Sequence, residues 1–157
     1  MKTSILSLSF LLIFYGCDLT DNSSNSSTQT HTTWSNDGIE FSLDIPKNSF
    51  LLNDTLSISF AVKNFSNYNK EFNFSNIQQL GYQIINNNNN NVATYFPIVV
   101  APALSHFSLE PGKNKVLDQI GLFKDINGNY IKRGDYSLFV FLLDNNSPKL
   151  KLQISVN

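Results

Sequence analysis

The residues that could do chemistry are few, and their spacing argues against an enzyme. Ser105-His106-Phe107 puts a hydroxyl beside an imidazole. Neighbours on a strand point to opposite faces, however, so Ser105 and His106 cannot form a nucleophile–base pair. His31 stands alone in a polar tract with no second ligand at metal spacing, and is expected to be solvated. Asp125-Ile126-Asn127-Gly128-Asn129 offers side-chain oxygens at the first, third and fifth positions of a calcium loop. Tyr130 then stands where such a loop needs glycine and Tyr136 where it needs glutamate, so a plain turn is expected. Asp and Glu are otherwise scattered singly, without the paired carboxylates of a glycosidase. The expectation is no catalysis, no metal and no cofactor.

Cys17 is the one cysteine, so no internal disulfide can form and the core must hold by packing. It follows Gly16 at the end of an apolar run, Ile5–Tyr15, that begins just after Lys2. That run is shorter than the roughly 20 apolar residues of a bilayer span and has the size of a secretory signal. The segment resembles a bacterial lipoprotein signal, in which the thiol after a small residue is acylated and becomes the mature N-terminus. The resemblance implies that residues 1–16 are removed, that Cys17 anchors the chain by lipid, and that it sits on the extracytoplasmic side of a bacterial envelope. It implies the outer membrane in a cell that has one.

Residues 17–36 are rich in Asn, Ser and Thr and have little apolar content to offset ordering entropy. They read as a flexible tether with a reach of roughly 25 Å. Trp34 is the exception and could dock on the folded body.

From residue 37 to 157 the pattern has period two. Ile39, Phe41, Leu43 and Ile45 alternate with polar residues, as do Leu56, Ile58, Phe60 and Val62, and Leu150, Leu152, Ile154 and Val156. Pro111-Gly112 supplies a turn, and Asn86–Asn91 reads as a hairpin loop because Asn tolerates positive φ. No helical period runs for three turns. About 7–9 short strands at such spacings predict an all-β, immunoglobulin-like antiparallel β-sandwich. Gly134-Asp135-Tyr136 opens the penultimate long strand like a tyrosine corner, the hydroxyl bonding a backbone group upstream.

Three stretches together resemble the BsuPI-type intracellular proteinase inhibitor family: Thr55–Ser66 with its Asn-x-Ser corner, Phe72–Gln79 leading into Tyr82, and Leu109–Gly112 with Gly128–Tyr136. Gly81 stands where that family usually has Asp, and Tyr95-Phe96 where it tends to carry tryptophan. The resemblance implies an immunoglobulin-like domain that binds protein, and a serine proteinase as the partner in its most specific form.

A net charge of −1 leaves no cationic footprint for nucleic acid. The chain is therefore expected to be a monomeric binding module, anchored at the membrane through its lipid. The candidate binding loop is Phe96, Pro97, Ile98, Val99, Val100, Ala101 and Pro102, an uncharged apolar segment able to enter a protease cleft as a strand. The alternative is that Ile98, Val99 and Leu104 fold back to cap the core. A structural accessory domain of the envelope is a second reading, and a carbohydrate-binding module using Tyr68, Tyr95 or Tyr130 is a third.

Overall fold

A computed structural model describes residues 30–95, 103–144 and 146–157. These form eleven strands. In chain order they are β1 His31–Asn36, β2 Ile39–Asp44, β3 Ser49–Phe50, β4 Thr55–Asn64, β5 Lys70–Phe74 and β6 Leu80–Asn86. There follow β7 Asn91–Tyr95, β8 Ser105–Leu109, β9 Asn114–Leu122, β10 Gly134–Leu142 and β11 Leu150–Val156. One sheet has the order β1-β2-β4-β9, a second β3-β11-β10-β6-β7, and β5 with β8 makes a separate two-stranded ribbon. All pairings are antiparallel except β3 with β11. This is an immunoglobulin-like β-sandwich, with β1 added to the expected strand set.

The alternating residues of both sheets meet in one core. Leu56, Ile58, Phe60 and Val62 of β4 and Leu138, Val140 and Leu142 of β10 are all buried in that cluster. The ribbon adds Phe72, Phe74, Phe107 and Leu109 to the same core. Phe72 stacks on Phe107 at 4.7 Å between centroids, and Phe107 on Phe74 at 5.6 Å.

The turns have local causes. Glu110-Pro111-Gly112-Lys113 closes with Lys113 N–H donating to the Glu110 carbonyl at 3.0 Å, and Gly112 takes φ 74°. Proline followed by a positive-φ glycine is the signature of a type II turn. This turn does not pair the strands it joins: β8 pairs with β5 and β9 with β4, so it carries the chain from the ribbon into the first sheet. In the asparagine loop, Asn89 has φ 60° and the Asn86 side chain accepts from the N–H groups of Asn88 and Asn90. The Tyr136 hydroxyl donates to the Lys132 carbonyl at 2.5 Å, completing the corner below Gly134.

One boundary needs correction. The tether expected over residues 17–36 does not extend to Asn36, because His31–Asn36 is strand β1, paired along its length with β2. Asp37-Gly38 joins the two strands with both residues at positive φ, 49° and 72°. That geometry matches the two-residue type I′ hairpin for which Asp-Gly is a preferred sequence. Trp34 stands opposite Phe41, with ring centroids 5.8 Å apart. A Cβ on Gly38 would meet that of Ser66 at 2.8 Å, so both φ and space select glycine there. Composition suggested disorder, but the hairpin turn and the neighbouring strand outweigh it. Among the described residues no helix is long and apolar enough to cross a membrane.

Candidate functional site

Cys17 and the whole candidate loop Phe96–Pro102 lie outside the described residues. Leu104, expected to help cap the core, is instead 89% exposed. His106 is exposed on β8, while the Ser105 hydroxyl donates to the Asn76 carbonyl at 2.6 Å, so Ser105 does not pair with His106. His31 is on the surface but not merely solvated, because its Nδ1 lies 2.7 Å from an Asp44 carboxylate oxygen.

Asp125 uses its carboxylate on its own turn. Its Oδ1 accepts from the N–H groups of Asn127 and Asn129, each at 2.9 Å. The Asn129 bond, followed by that of Asn127, holds the acid below the usual carboxylate range. Among the described residues no group of three or more His, Cys, Asp or Glu could hold a metal.

Two features of the first sheet stand out, one at each margin. At one margin is β9, last in the sheet order and nine residues long. Asn64 N–H donates to the Lys113 carbonyl at 2.9 Å, and the register continues Lys63 opposite Asn114. Hydrogen-bonded pairs recur every second residue in an antiparallel ladder. Lys115, Leu117, Gln119 and Gly121 therefore turn their backbone groups toward β4, and Val116, Asp118, Ile120 and Leu122 turn theirs to the open side. Val116, Ile120 and Leu122 also expose apolar side chains, 50%, 66% and 48% accessible. The Gln119 amide covers one of these backbone groups by donating to the Ile120 carbonyl at 2.8 Å.

At the other margin the β1–β2 hairpin, β5 and the loop after β10 enclose a cleft of about 260 Å³. Trp34, Phe41 and Phe72 give it an aromatic wall, and Phe41 meets Phe72 edge-on at 6.3 Å. At its mouth the Lys70 ammonium pairs with Asp37 at 2.5 Å, and the Tyr68 hydroxyl also donates to Asp37. Lys70 holds the Asp37 carboxyl below its ordinary range, and the same bond raises the lysine. Glu71 and Asp144 also line the cleft.

The tyrosines considered for sugar stacking are differently placed. Tyr68 and Tyr130 are exposed, but Lys70 lies over the first ring at 4.5 Å and Lys124 over the second at 4.7 Å. Each lysine occupies a face that a sugar would use.

No protein-family profile and no curated protein matches the chain. Solved structures do resemble it. An alkylpurine DNA glycosylase, AlkC, of Pseudomonas fluorescens superposes with a TM-score of 0.50 at 11% identity, over 76% of this chain and 30% of that one. A β-glucosidase of Listeria innocua gives 0.44 at 13%, over 79% of this chain and 17% of that one. The CARDB domain of a Pyrococcus furiosus protein, solved with di-metal ions, gives 0.40 at 16%, over 73% and 87%. The likeness is one of fold. The chain spans less than a third of the glycosylase and less than a fifth of the glucosidase it resembles.

Neither margin of the first sheet was assigned a role from the sequence. The Asp37-Gly38 dipeptide is a local signal for the turn of the hairpin, but the polar residues before it carry no strand signal of their own. No local signal marks β9 as an edge, because its alternation reads like that of any half-buried strand.

Proposed function

We propose that this chain is a non-catalytic protein-binding module that takes an extended segment of its partner onto the open edge of β9. The observation that carries this reading is the combination, on one nine-residue edge strand, of outward backbone groups with the exposed side chains of Val116, Ile120 and Leu122. An added strand draws affinity from main-chain hydrogen bonds and selectivity from alternate side chains. Opposite Val116, Asp118 and Ile120, the complementary segment carries apolar, basic and apolar residues at alternate positions. A second copy of this chain fits poorly. The two-fold register that sets Val116 against Ile120 also sets Asp118 against Asp118, and like charges directly opposite are unfavourable.

Peptide selection on the purified chain tests the reading. Sequences with apolar, basic and apolar residues at alternate positions should be enriched. On binding, the amides of Val116, Asp118, Ile120 and Leu122 should become protected from hydrogen exchange. Ile120→Pro removes an outward N–H without touching the β4 ladder, where an edge proline is tolerated, and should abolish binding. Binding with protection elsewhere, or unchanged binding by Ile120→Pro, counts against β9.

Two finer proposals rest on resemblance. Acylation of Cys17 places the module on the extracytoplasmic side of a bacterial envelope, and Cys17→Ser should abolish incorporation of a fatty-acid label. Inhibition of a serine proteinase, with Phe96–Pro102 as the entering segment, is the most specific form of protein binding. A serine proteinase titrated with the chain should lose activity, and Ile98→Asp should restore it.

A further inference from the structure

Two exposed tyrosines are covered by the chain's own cations. Lys70 lies over Tyr68 and Lys124 over Tyr130, and Lys63 similarly lies 4.3 Å from the exposed Phe65 ring. Trp34 is 40% exposed, and among the described residues no lysine or arginine lies over it. Indole is the best cation acceptor among the aromatic side chains.

The charges of the cleft point the same way. Of the ionisable groups that line it, Asp37, Glu71 and Asp144 are acidic and Lys70 alone is basic. Lys70 is taken up by Asp37 at 2.5 Å. The Glu71 side chain leaves β5 on the face opposite to Phe72. That leaves Asp144 as the uncompensated charge beside the aromatic wall, and it forms no salt bridge among the described residues. One oxygen of Asp144 accepts the Ser147 N–H at 3.0 Å, which fixes its carboxylate without neutralising it.

We propose that this cleft takes the guanidinium group of an arginine side chain presented by a polypeptide. The volume of about 260 Å³ falls just below the roughly 300–1,000 Å³ of pockets that engulf a whole drug-sized ligand, and suits one long side chain. Guanidinium is planar and weakly hydrated, stacks on an indole, and presents a fork of donors to carboxylates. Lysine ammonium is compact and strongly hydrated, and loses more on entering an aromatic wall. A neutral sugar would stack on the indole but gain no charge attraction from Asp144. The site lies at the opposite margin of the sheet from β9 and does not depend on that edge.

Trp34 is the only tryptophan, so its fluorescence and its indole N–H resonance report on this cleft alone. The intact chain is titrated with Nα-acetyl-arginine methylamide, its lysine and citrulline counterparts, and a methyl glucoside. The arginine probe should shift both signals saturably, bind at least several-fold more tightly than lysine, and weaken as salt is raised. Citrulline, nearly isosteric but uncharged, should give no saturable shift. Asp144→Asn keeps the shape and the Ser147 cap, and should weaken arginine binding several-fold or more. The proposal is overturned if citrulline or the glucoside titrates as well as arginine, if Asp144→Asn binds arginine unchanged, or if arginine at high concentration moves neither signal.

Discussion

The side-chain amide of Asn64 donates to the carbonyl of Leu109, 45 residues away, at 2.8 Å. Asn64 is the buried polar residue of the core region, with no exposed surface. Its amide also donates to the Tyr68 carbonyl at 2.8 Å, and its Oδ1 accepts from the N–H and hydroxyl of Ser66. One side chain thus ties the end of β4 to the following corner and to the end of β8. Every polar atom of the side chain is used, which is what makes its burial tolerable.

Asn64→Ala should therefore be among the most damaging single changes. It leaves the Leu109 carbonyl without this donor and the Ser66 N–H without its acceptor, while the Tyr68 carbonyl keeps the Ser66 hydroxyl, at roughly 1–3 kcal/mol for each buried group left unpaired. Urea unfolding should show a loss of about 2–5 kcal/mol, as a lower midpoint at nearly constant slope. Asn64→Asp should fare no better, because it removes the donors and buries a charge.

Tyr136→Phe isolates the corner bond. The ring stays buried, as Tyr136 is 5% exposed, and only the hydroxyl donating to Lys132 is lost. A cost of about 0.5–1.5 kcal/mol is expected, seen as a melting temperature lower by a few degrees. Burial raises the phenol pKa above its ordinary value, so the bond persists through neutral pH.

Gly121→Ala tests a close approach between the sheets. A Cβ there would lie 2.7 Å from the Tyr82 hydroxyl oxygen and 2.8 Å from its ring carbon Cζ. Tyr82 is buried on β6, so the ring has little room to move. Overpacking of this kind should cost about 1–3 kcal/mol in urea unfolding. Gly112→Ala serves as a contrast, since it adds backbone strain at positive φ but meets nothing within 4 Å.

Acid should destabilise the fold through three carboxylates. The Lys70 bond lowers Asp37, the Lys47 bond lowers Asp54, and the Asn129 N–H lowers Asp125. A folded pKa below the unfolded value means that the unfolded chain binds protons first as pH falls. The stabilisation is present above the unfolded value of about 4 and is lost as pH drops through the lower folded values. Lys70 has the opposite sign. Its raised pKa stabilises below about pH 10.4, and that contribution disappears as pH rises through the folded value. Asp125→Asn can still accept both turn N–H groups but binds no proton, so melting temperature against pH should fall less steeply below pH 4.

What the sequence determined by itself is what short-range physics controls. Ile39 to Ile45, Leu56 to Val62 and Leu150 to Val156 alternate because one face of each strand is buried, and that period survives any arrangement of neighbours. Pro111-Gly112, the asparagine loop and the Tyr136 corner were legible because each bond closes within a few residues. Tertiary structure decided the rest. Residues 31–36 are too polar to form a strand alone, and become one because β2 supplies the ladder and Phe41 a surface for Trp34. Among the described residues, sheet order leaves the outer backbone of β9 without a paired strand, although Val116, Ile120 and Leu122 alternate like core residues. The cleft joins Trp34, Lys70 and Asp144 from distant parts of the chain. Alternation specifies a face, but only the order of strands specifies what covers that face, and so where a ligand can bind.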